Sequence, residues 1–372
     1  MKHIAIIAMR RAALVIFLLA LVLCGLELTL RATGWIFLQM RQTEGTTIKQ
    51  GRHYRILCVG ESTTADMLFL GKESYPAQLE RILNERATEG VSFTVINGGV
   101  PATTTNVILA ELPKNLEQHH PDIVVTMMGI NDDLTGVNDK GFINSISQVS
   151  DNLRVWRVAK VIYYAWLNPH ALMENADPAA KGSDNSTMLL LRFKTAWDGV
   201  IEGHYAEAEA LMKPMLNYEK WPIVKSRAHG IMAVLNWQRG DERKAENYHQ
   251  RFLELERLIP RSKTVHNYRE LQRILREHKI PLVAVQYPAL PIGPLRQMIE
   301  PAPGMVFVDN EQTFLQAIKT QPVGKVFRDL FGGIFGHMTP YGNDLLAENV
   351  ARGVLELVPN SRVEYAMPVR RQ

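Results

Sequence analysis

The sequence predicts an α/β protein built on a parallel five-stranded sheet, with an all-α helical insertion and one N-terminal transmembrane helix. Three observations support this prediction. Strand-like runs alternate with helical runs from residue 54 onward, a pattern typical of βαβ units in a parallel sheet. A long stretch without any strand candidate interrupts that alternation, and an apolar run precedes the whole of it.

The first element is the apolar run near the N-terminus. An uncharged stretch extends from Ala12 to Leu26, and its apolar character continues to Leu30. The run is close to the length of about 20 residues that crosses a bilayer as a helix. Basic residues precede it, namely Lys2, Arg10 and Arg11. A cleaved signal peptide is the alternative, but the small residues from Ala32 form a poor cleavage site.

We therefore expect residues 1–35 to be an uncleaved single-pass membrane anchor. The basic residues before the apolar run favour a cytoplasmic N-terminus. The rest of the chain would then lie on the periplasmic or extracytoplasmic side, joined to the anchor by a polar linker at residues 36–52.

The segment 53–170 is predicted to form the first part of the α/β domain. Strands are expected at 54–60, 91–98 and 121–129, and helices at 74–90 and 104–120, the latter interrupted by a proline. The strand-like runs are almost continuous in Ile, Val and Leu. Such runs are expected where helices cover both faces of a parallel sheet.

The segment 185–260 comes after a stretch rich in turn-forming residues and is predicted to be helical throughout. A pattern of Gly203, Tyr205 and Ala208 is repeated by Gly240 and Ala245. The spacing is close to the period of about 34 residues of a tetratricopeptide repeat, which this segment resembles. A plain helical hairpin or bundle is the alternative. Because two repeats alone would be marginally stable, we expect them to dock on the α/β domain, where they could bind a protein partner.

The alternation resumes in the segment 262–360, the second part of the α/β domain. A helix leads into a strand from Leu282 to Tyr287, and a second strand ends near Asp309. A helix at 311–320 and a long amphipathic helix after Thr339 complete the domain. These two strands bring the predicted sheet to five.

The composition argues against several classes of function. The net charge is +4, and no dense basic stripe with interleaved aromatic residues indicates nucleic-acid binding. The two cysteines, Cys24 and Cys58, both lie in apolar runs, where neither is placed for a disulfide or a metal site. Asp132 and Asp133 lack the other ligands that a metal site needs. We therefore expect no nucleic-acid partner, no metal and no organic cofactor.

Four polar loop segments stand out, and all but the last come directly after a strand. They are Gly60-Glu61-Ser62-Thr63, the segment Asn97 to Thr103, Gly129-Ile130-Asn131-Asp132, and Gly336 to Pro340 with His337. Loops at the carboxyl ends of parallel strands gather at one edge of the sheet. A serine, an amide and a histidine would then meet there, as acyl transfer through an activated serine requires.

The order of these segments resembles that of the SGNH/GDSL hydrolase superfamily. Ser62 matches the serine of the first block, Asn131 the asparagine of the third and His337 the histidine of the last. The resemblance covers residues 54 to 358 apart from the helical insertion. It implies a three-layer α/β/α, flavodoxin-like fold, with Ser62 as nucleophile, His337 as general base and Asn131 as an oxyanion donor.

Three positions depart from the pattern of that superfamily. Glu61 replaces an aspartate, and Ala102 stands where the second block has its oxyanion glycine, so only the backbone N–H of Ala102 would serve. The aspartate expected three residues before the histidine is replaced by Ile334. Asp329 or Asp309 could take over as the partner of His337, or a Ser–His dyad could act alone.

These features predict a membrane-anchored serine hydrolase acting on ester bonds. It would be an acyl esterase or an O-acyltransferase, and an acetylated cell-surface glycan or a small ester is the expected substrate. The alternative is a catalytically weak or inactive relative, marked by Ile334, whose helical insertion binds another protein.

Overall fold

The computed structural model of the protein describes residues 25–29, 51–65, 73–101, 103–132, 186–219 and 221–358. Packing divides the chain into two units. One comprises residues 1–47 and 138–184, of which only the helical segment 25–29 is described. The other comprises Ile48–Val137 and Asn185–Gln372 and contains all the elements discussed below.

The central element of this second unit is a sheet of five parallel strands. They are β1 Arg52–Gly60, β2 Val91–Gly99, β3 Ile123–Met127, β4 Leu282–Val285 and β5 Met305–Val308. Their order is β2-β1-β3-β4-β5, and each neighbouring pair is parallel. This is the flavodoxin-like order, whose switch point lies between β1 and β3. The predicted parallel five-stranded α/β sheet is confirmed.

Helices cover both faces of the sheet. The helices outside the insertion are α1 Ser62–Ala65, α2 Tyr75–Arg86, α3 Thr105–His119, α8 Ser262–Glu277, α9 Ile292–Met298, α10 Glu311–Thr320, α11 Val323–Val326 and α12 Pro340–Leu357. Ile56 and Cys58 of β1 pack in one core cluster with α2 and α12. Leu57 and Val59 point to the opposite face and pack with α3 and α8. Successive residues of β1 thus enter two separate cores, which makes three layers.

The described residues between β3 and β4 form helices and no strand. Before α8 these are α4 Ser186–Glu202, α5 Tyr205–Met212, α6 Pro222–Gln238 and α7 Glu242–Leu258, with a short 3₁₀ turn at Lys213–Asn217. Gly203 and Gly240 adopt positive φ between paired helices, and Ala208 and Ala245 are fully buried. The helical content agrees with the sequence, whereas the assignment to the tetratricopeptide family stays a prediction.

Two boundaries differ from the sequence prediction for physical reasons. β4 ends at Val285; Gln286 still donates its backbone N–H to Val308 of β5, and the side chains of Gln286 and Tyr287 bond to Pro291 and Glu61. Helix α3 runs without a break through Pro113. The proline ring lies on the exposed face, where water can satisfy the carbonyl that loses its backbone partner.

The predicted membrane anchor, residues 1–35, lies outside the described residues except for 25–29. Among the residues that are described, no helix is long and apolar enough to span a bilayer. The anchor therefore stays a prediction.

Candidate active site

Ser62 lies two residues after the end of β1 and is the first residue of the short helix α1. Gly60 makes this turn possible, because a Cβ at that position would lie 2.6 Å from the carbonyl oxygen of Met127 on β3. The sheet therefore stays closely paired up to its edge, and Ser62 emerges directly above it. Its side chain is only partly buried, which leaves the hydroxyl accessible at the switch point.

His337 lies next to Ser62, although the two residues are far apart in sequence. Its Nε2 lies 2.9 Å from Ser62 Oγ. Its Nδ1 lies 2.7 Å from Oδ2 of Asp329. An ionised carboxylate only accepts hydrogen bonds. Nδ1 of His337 therefore carries a proton and donates a hydrogen bond to Asp329. Nε2 is then free to accept the hydroxyl proton of Ser62.

A hairpin-like loop brings Asp329 and His337 together. Phe327 and Met338 form an antiparallel bridge, and the backbone N–H of Arg328 donates to the carbonyl of His337 over 2.8 Å. Asp329 therefore faces His337 from the opposite arm, and its Oδ1 accepts the backbone N–H of His337 at 2.9 Å. The carboxylate is held from both the side chain and the backbone of its partner.

The two sequence candidates for the partner of His337 have different places in the structure. Asp329 contacts the imidazole, whereas Asp309 is exposed and accepts a hydrogen bond from the backbone N–H of Glu311 at the start of α10. Ile334 is fully buried and contributes to the core. A carboxylate is thus present beside His337, on the other arm of a loop and not three residues before the histidine.

The surroundings of Asp329 favour its ionised form. Burial alone would raise the pKa of this carboxyl. The hydrogen bonds from His337, the charge of its imidazolium form and the backbone N–H of Phe331 outweigh that effect, and the pKa is lowered. A carboxylate that stays ionised can hold the proton of His337 on Nδ1 and stabilise the imidazolium form.

Asn131 lies at the carboxyl end of β3, on the other side of the switch point. Its side-chain amide donates one hydrogen bond to the carbonyl of Thr103 over 2.9 Å. An amide group has two N–H donors, so this contact fixes the orientation of the side chain and leaves one N–H for another acceptor. Ala102, the other predicted oxyanion donor, lies outside the described residues.

Residues Met128–Asp132 are anchored one after another. The backbone N–H of Met128 donates to Tyr268 Oη at 3.2 Å, that of Gly129 to Glu61 Oε1 at 3.0 Å, and that of Ile130 to Tyr287 Oη at 3.4 Å. The carboxylate of Asp132 accepts from the backbone and hydroxyl groups of Thr105 and from the Thr264 hydroxyl. Asp132 is therefore a structural acceptor, and Asp133 lies outside the described residues. The loop that presents Asn131 is held at every residue.

Glu61 is a residue whose role the sequence did not reveal. It is fully buried, and its second oxygen accepts a hydrogen bond from Tyr287 Oη at 2.8 Å. Burial raises the pKa of this carboxyl to about 7, although the contacts with Tyr287 and Gly129 act in the opposite direction. The replacement of aspartate by the longer glutamate next to Ser62 was the only available signal. Glu61 thus joins the serine turn to the loop of Asn131.

Part of this site lies in a segment that is similar to a known sequence family. Residues 58–202 match the sequence model of the GDSL-like Lipase/Acylhydrolase family. The matched range contains Ser62 and Asn131 and ends within α4, well before Asp329 and His337. The pairing of His337 with Ser62 is therefore an observation independent of that match.

Individual relatives are also esterases or hydrolases by name. An arylesterase from Vibrio mimicus is 36% identical over 95 residues, which cover 26% of this chain and 46% of the relative, so the chain spans about half the length of that protein. An acetylxylan esterase from Geobacillus stearothermophilus is 15% identical, covers 82% of this chain and 96% of its own, and has a TM-score of 0.31. An α/β hydrolase enzyme from the metagenome of Lake Arreo, Spain, is 11% identical, covers 82% of this chain and 96% of its own, and has a TM-score of 0.32.

The TM-scores of these two structures are too low to support any conclusion about a substrate. The family match and the arylesterase relative show that residues within 58–202 are similar to GDSL-like lipases and acylhydrolases.

Proposed function

We propose that this protein is a serine esterase in which Ser62 attacks the ester carbonyl, His337 acts as general base and Asp329 orients the imidazole. One observation carries the proposal. His337 lies within hydrogen-bond distance of Ser62 Oγ through Nε2 and of Asp329 through Nδ1. A nucleophile, a base and a group that orients the base are the parts that activate a serine hydroxyl.

The reaction would proceed in two stages. Nε2 of His337 accepts the proton of Ser62 as Oγ bonds to the carbonyl carbon, and the resulting imidazolium then protonates the leaving alcohol oxygen. Water deprotonated by the same nitrogen attacks the acyl-enzyme, which releases the acid and restores Ser62. Asp329 stays ionised throughout and stabilises the imidazolium.

The developing oxyanion would be held by the free N–H of Asn131 and by the backbone N–H groups of Ser62 and Ala102. The anchoring of Met128–Asp132 supports the role of Asn131, because a donor that is already oriented needs no reorganisation in the transition state. Removal of one such donor lowers kcat by about 10²–10³-fold in other enzymes.

The function is tested by measuring turnover of p-nitrophenyl acetate by the purified protein and by Ser62→Ala. We expect turnover by the unaltered protein and its loss in Ser62→Ala. Ser262→Ala is the matched control, since this serine is exposed at the start of α8 and its replacement should leave turnover unchanged. Equal rates for the unaltered protein and Ser62→Ala would contradict the proposal.

We also propose an acylated cell-surface glycan as the natural substrate class, with hydrolysis and O-acyl transfer as the two alternative outcomes. The support is the predicted export of the domain, with the apolar run from Ala12 to Leu30 as its anchor. Incubation with an acetylated oligosaccharide separates the outcomes, because hydrolysis releases acetate and transfer adds a mass of one acetyl group to an acceptor sugar. If neither product forms, this substrate class is excluded.

The proposed location has its own test. Alkaline phosphatase fused after residue 52 should be active in bacterial cells if the apolar run exports the fused enzyme, and the fusion should sediment with membranes if the run stays uncleaved. An inactive fusion would contradict export, and an active but freely soluble one would indicate cleavage.

The competing interpretation is an inactive protein that binds a partner through its helical insertion. Its main reason is the absence of a carboxylate at Ile334. The position of Asp329 beside His337 removes that reason, and no contact among the described residues favours partner binding in its place.

A further inference from the structure

The loop that carries Asp329 and His337 is packed against the helical insertion. Gly333 and Ile334 at its tip meet Gly230 of α6. A Cβ on Gly230 would lie 2.8 Å from the carbonyl carbon of Gly333, and a Cβ on Gly333 would lie 2.9 Å from Cα of Arg227. Two glycines facing each other allow the backbone of the loop to touch the backbone of the helix.

Arg227 ties the same helix to the arm of the loop that comes after Asp329. Its side chain is buried, and Nη1 donates a hydrogen bond to the carbonyl of Phe331. The guanidinium also lies over the ring of Phe331, 5.8 Å from its centroid. One side chain of the insertion thus fixes both the backbone and the ring of Phe331.

Phe331 in turn contacts the imidazole of His337. Their ring centroids are 4.7 Å apart, and the ring of Phe335 supports Phe331 from another side at 5.6 Å. The imidazole can reach Ser62 and Asp329 at the same time only in a narrow range of tilts, and the ring of Phe331 limits that tilt.

We propose that α6 of the helical insertion positions the base of the active site, with Arg227 and Phe331 as positioning residues for His337. The inference rests on the proposed function, since it concerns the alignment of the same triad. It makes the insertion a component of the esterase, not an independent binding module.

The test compares the kinetics of Arg227→Met and Arg227→Lys with those of the unaltered full-length protein, using p-nitrophenyl acetate. Concentrations are expressed per site able to react with a fluorophosphonate, so that misfolded protein does not count. A misaligned base should lower kcat by about tenfold to a hundredfold, with KM nearly unchanged. Arg227→Lys keeps a donor for the Phe331 carbonyl and should recover part of the loss.

Phe331→Leu is the second variant, in case Arg227→Met fails to fold. It keeps the hydrogen bond from Arg227 to the loop backbone and removes the ring that contacts His337, Arg227 and Phe335, so kcat per reactive site should again fall. A fall in the thermal midpoint with unchanged kcat per reactive site, in either variant, would overturn the inference.

Gln238→Ala is the matched control for docking of the insertion. Gln238 is also on α6. Its amide N–H donates hydrogen bonds to the carbonyls of Ile318 and Gln321, and its amide oxygen accepts one from the backbone N–H of Val323. None of these partners belongs to the loop that carries Asp329 and His337. Its replacement should lower stability and leave kcat per site unchanged. If the unaltered protein neither reacts with the fluorophosphonate nor turns over the ester, the proposed function fails, which is distinct from failure of the inference alone.

Discussion

At the scale of single residues, the contact between Asp329 and His337 favours the proposed triad over a Ser–His dyad. The carboxylate contacts Nδ1 at 2.7 Å, and its lowered pKa keeps it ionised. Both properties are those of a group that fixes the tautomer of the base. A dyad would show neither.

Replacing Asp329 should therefore reduce turnover strongly. Asp329→Asn removes the acceptor that holds the proton on Nδ1, and we expect kcat for p-nitrophenyl acetate to fall by roughly 10²–10⁴-fold. Asp309→Asn is the matched control, because Asp309 only accepts a backbone N–H of α10. Equal effects of the two substitutions would contradict the assignment of Asp329.

A second residue-scale prediction concerns Glu61. Its pKa is about 7 in the folded protein against 4.5 in an unfolded chain. The folded state therefore binds more proton than the unfolded chain between these pH values, and the free energy of unfolding falls as pH rises through that window. The full effect of this one group is at most about 3 kcal/mol.

Urea denaturation of the unaltered protein and of Glu61→Gln at pH 5 and pH 8 measures this contribution. The neutral amide can still accept from the backbone N–H of Gly129 and donate to Tyr287. The variant should lose less stability than the unaltered protein between the two pH values. The same loss in both would show that Glu61 does not carry the pH dependence.

At the scale of elements, the strands were predictable, whereas the pairing across the loop of His337 was not. Apolar runs placed β1 to β5 to within a few residues, most plainly the central strands β3 and β4, which are buried along their whole length and tolerate little besides aliphatic residues. The hydrogen bonds that place Asp329 opposite His337 link the two arms of an irregular loop. Such a pairing has no periodic pattern, so sequence spacing pointed to Ile334 instead.

The same reasoning explains why the role of Glu61 was not predicted. Its partners, Gly129 and Tyr287, lie just after β3 and β4, and only the sheet order places β3 next to β1 and β4 next to β3. Ser62, Asn131 and His337 were predictable because each lies in a short motif of its own. The contacts that join the motifs depend on the fold.

Ile334→Asp tests whether the loop can accept a carboxylate at the position expected from sequence. Ile334 is fully buried and its backbone N lies close to α6. We expect a loss of about 3–5 kcal/mol in the free energy of unfolding, from an unpaired buried charge, and no gain in kcat. Ile334→Val should cost only about 1 kcal/mol. A stable and more active Ile334→Asp variant would contradict the assignment of this position to the core.

At the scale of the whole folded unit, the insertion and the sheet share one hydrophobic core. Ile56 of β1, Ile231 of α6 and Leu346 of α12 belong to the same cluster of buried side chains. A continuous core of this kind leaves no plane along which the helices could separate. The insertion is therefore expected to unfold together with the α/β domain.

Thermal or urea unfolding of the protein should accordingly give one transition. In the variant Trp35→Phe/Trp156→Phe/Trp166→Phe, tryptophan fluorescence reports on the insertion, which contains the three remaining tryptophans, Trp197, Trp221 and Trp237. Far-ultraviolet circular dichroism reports on the entire unit. The two curves should coincide. An early fluorescence transition would mean that the insertion unfolds independently, which would also weaken its assignment as a support for His337.

The proposed function depends above all on Ser62 being a nucleophile that His337 activates. Reaction with a fluorophosphonate, read by intact mass and then by peptide mapping, measures this property without any assumption about the substrate. We expect a single adduct on the peptide that contains Ser62, formed much more slowly in His337→Ala and absent in Ser62→Ala. No adduct on the folded protein, or an adduct on another residue at an undiminished rate in Ser62→Ala, would show that Ser62 is not the nucleophile.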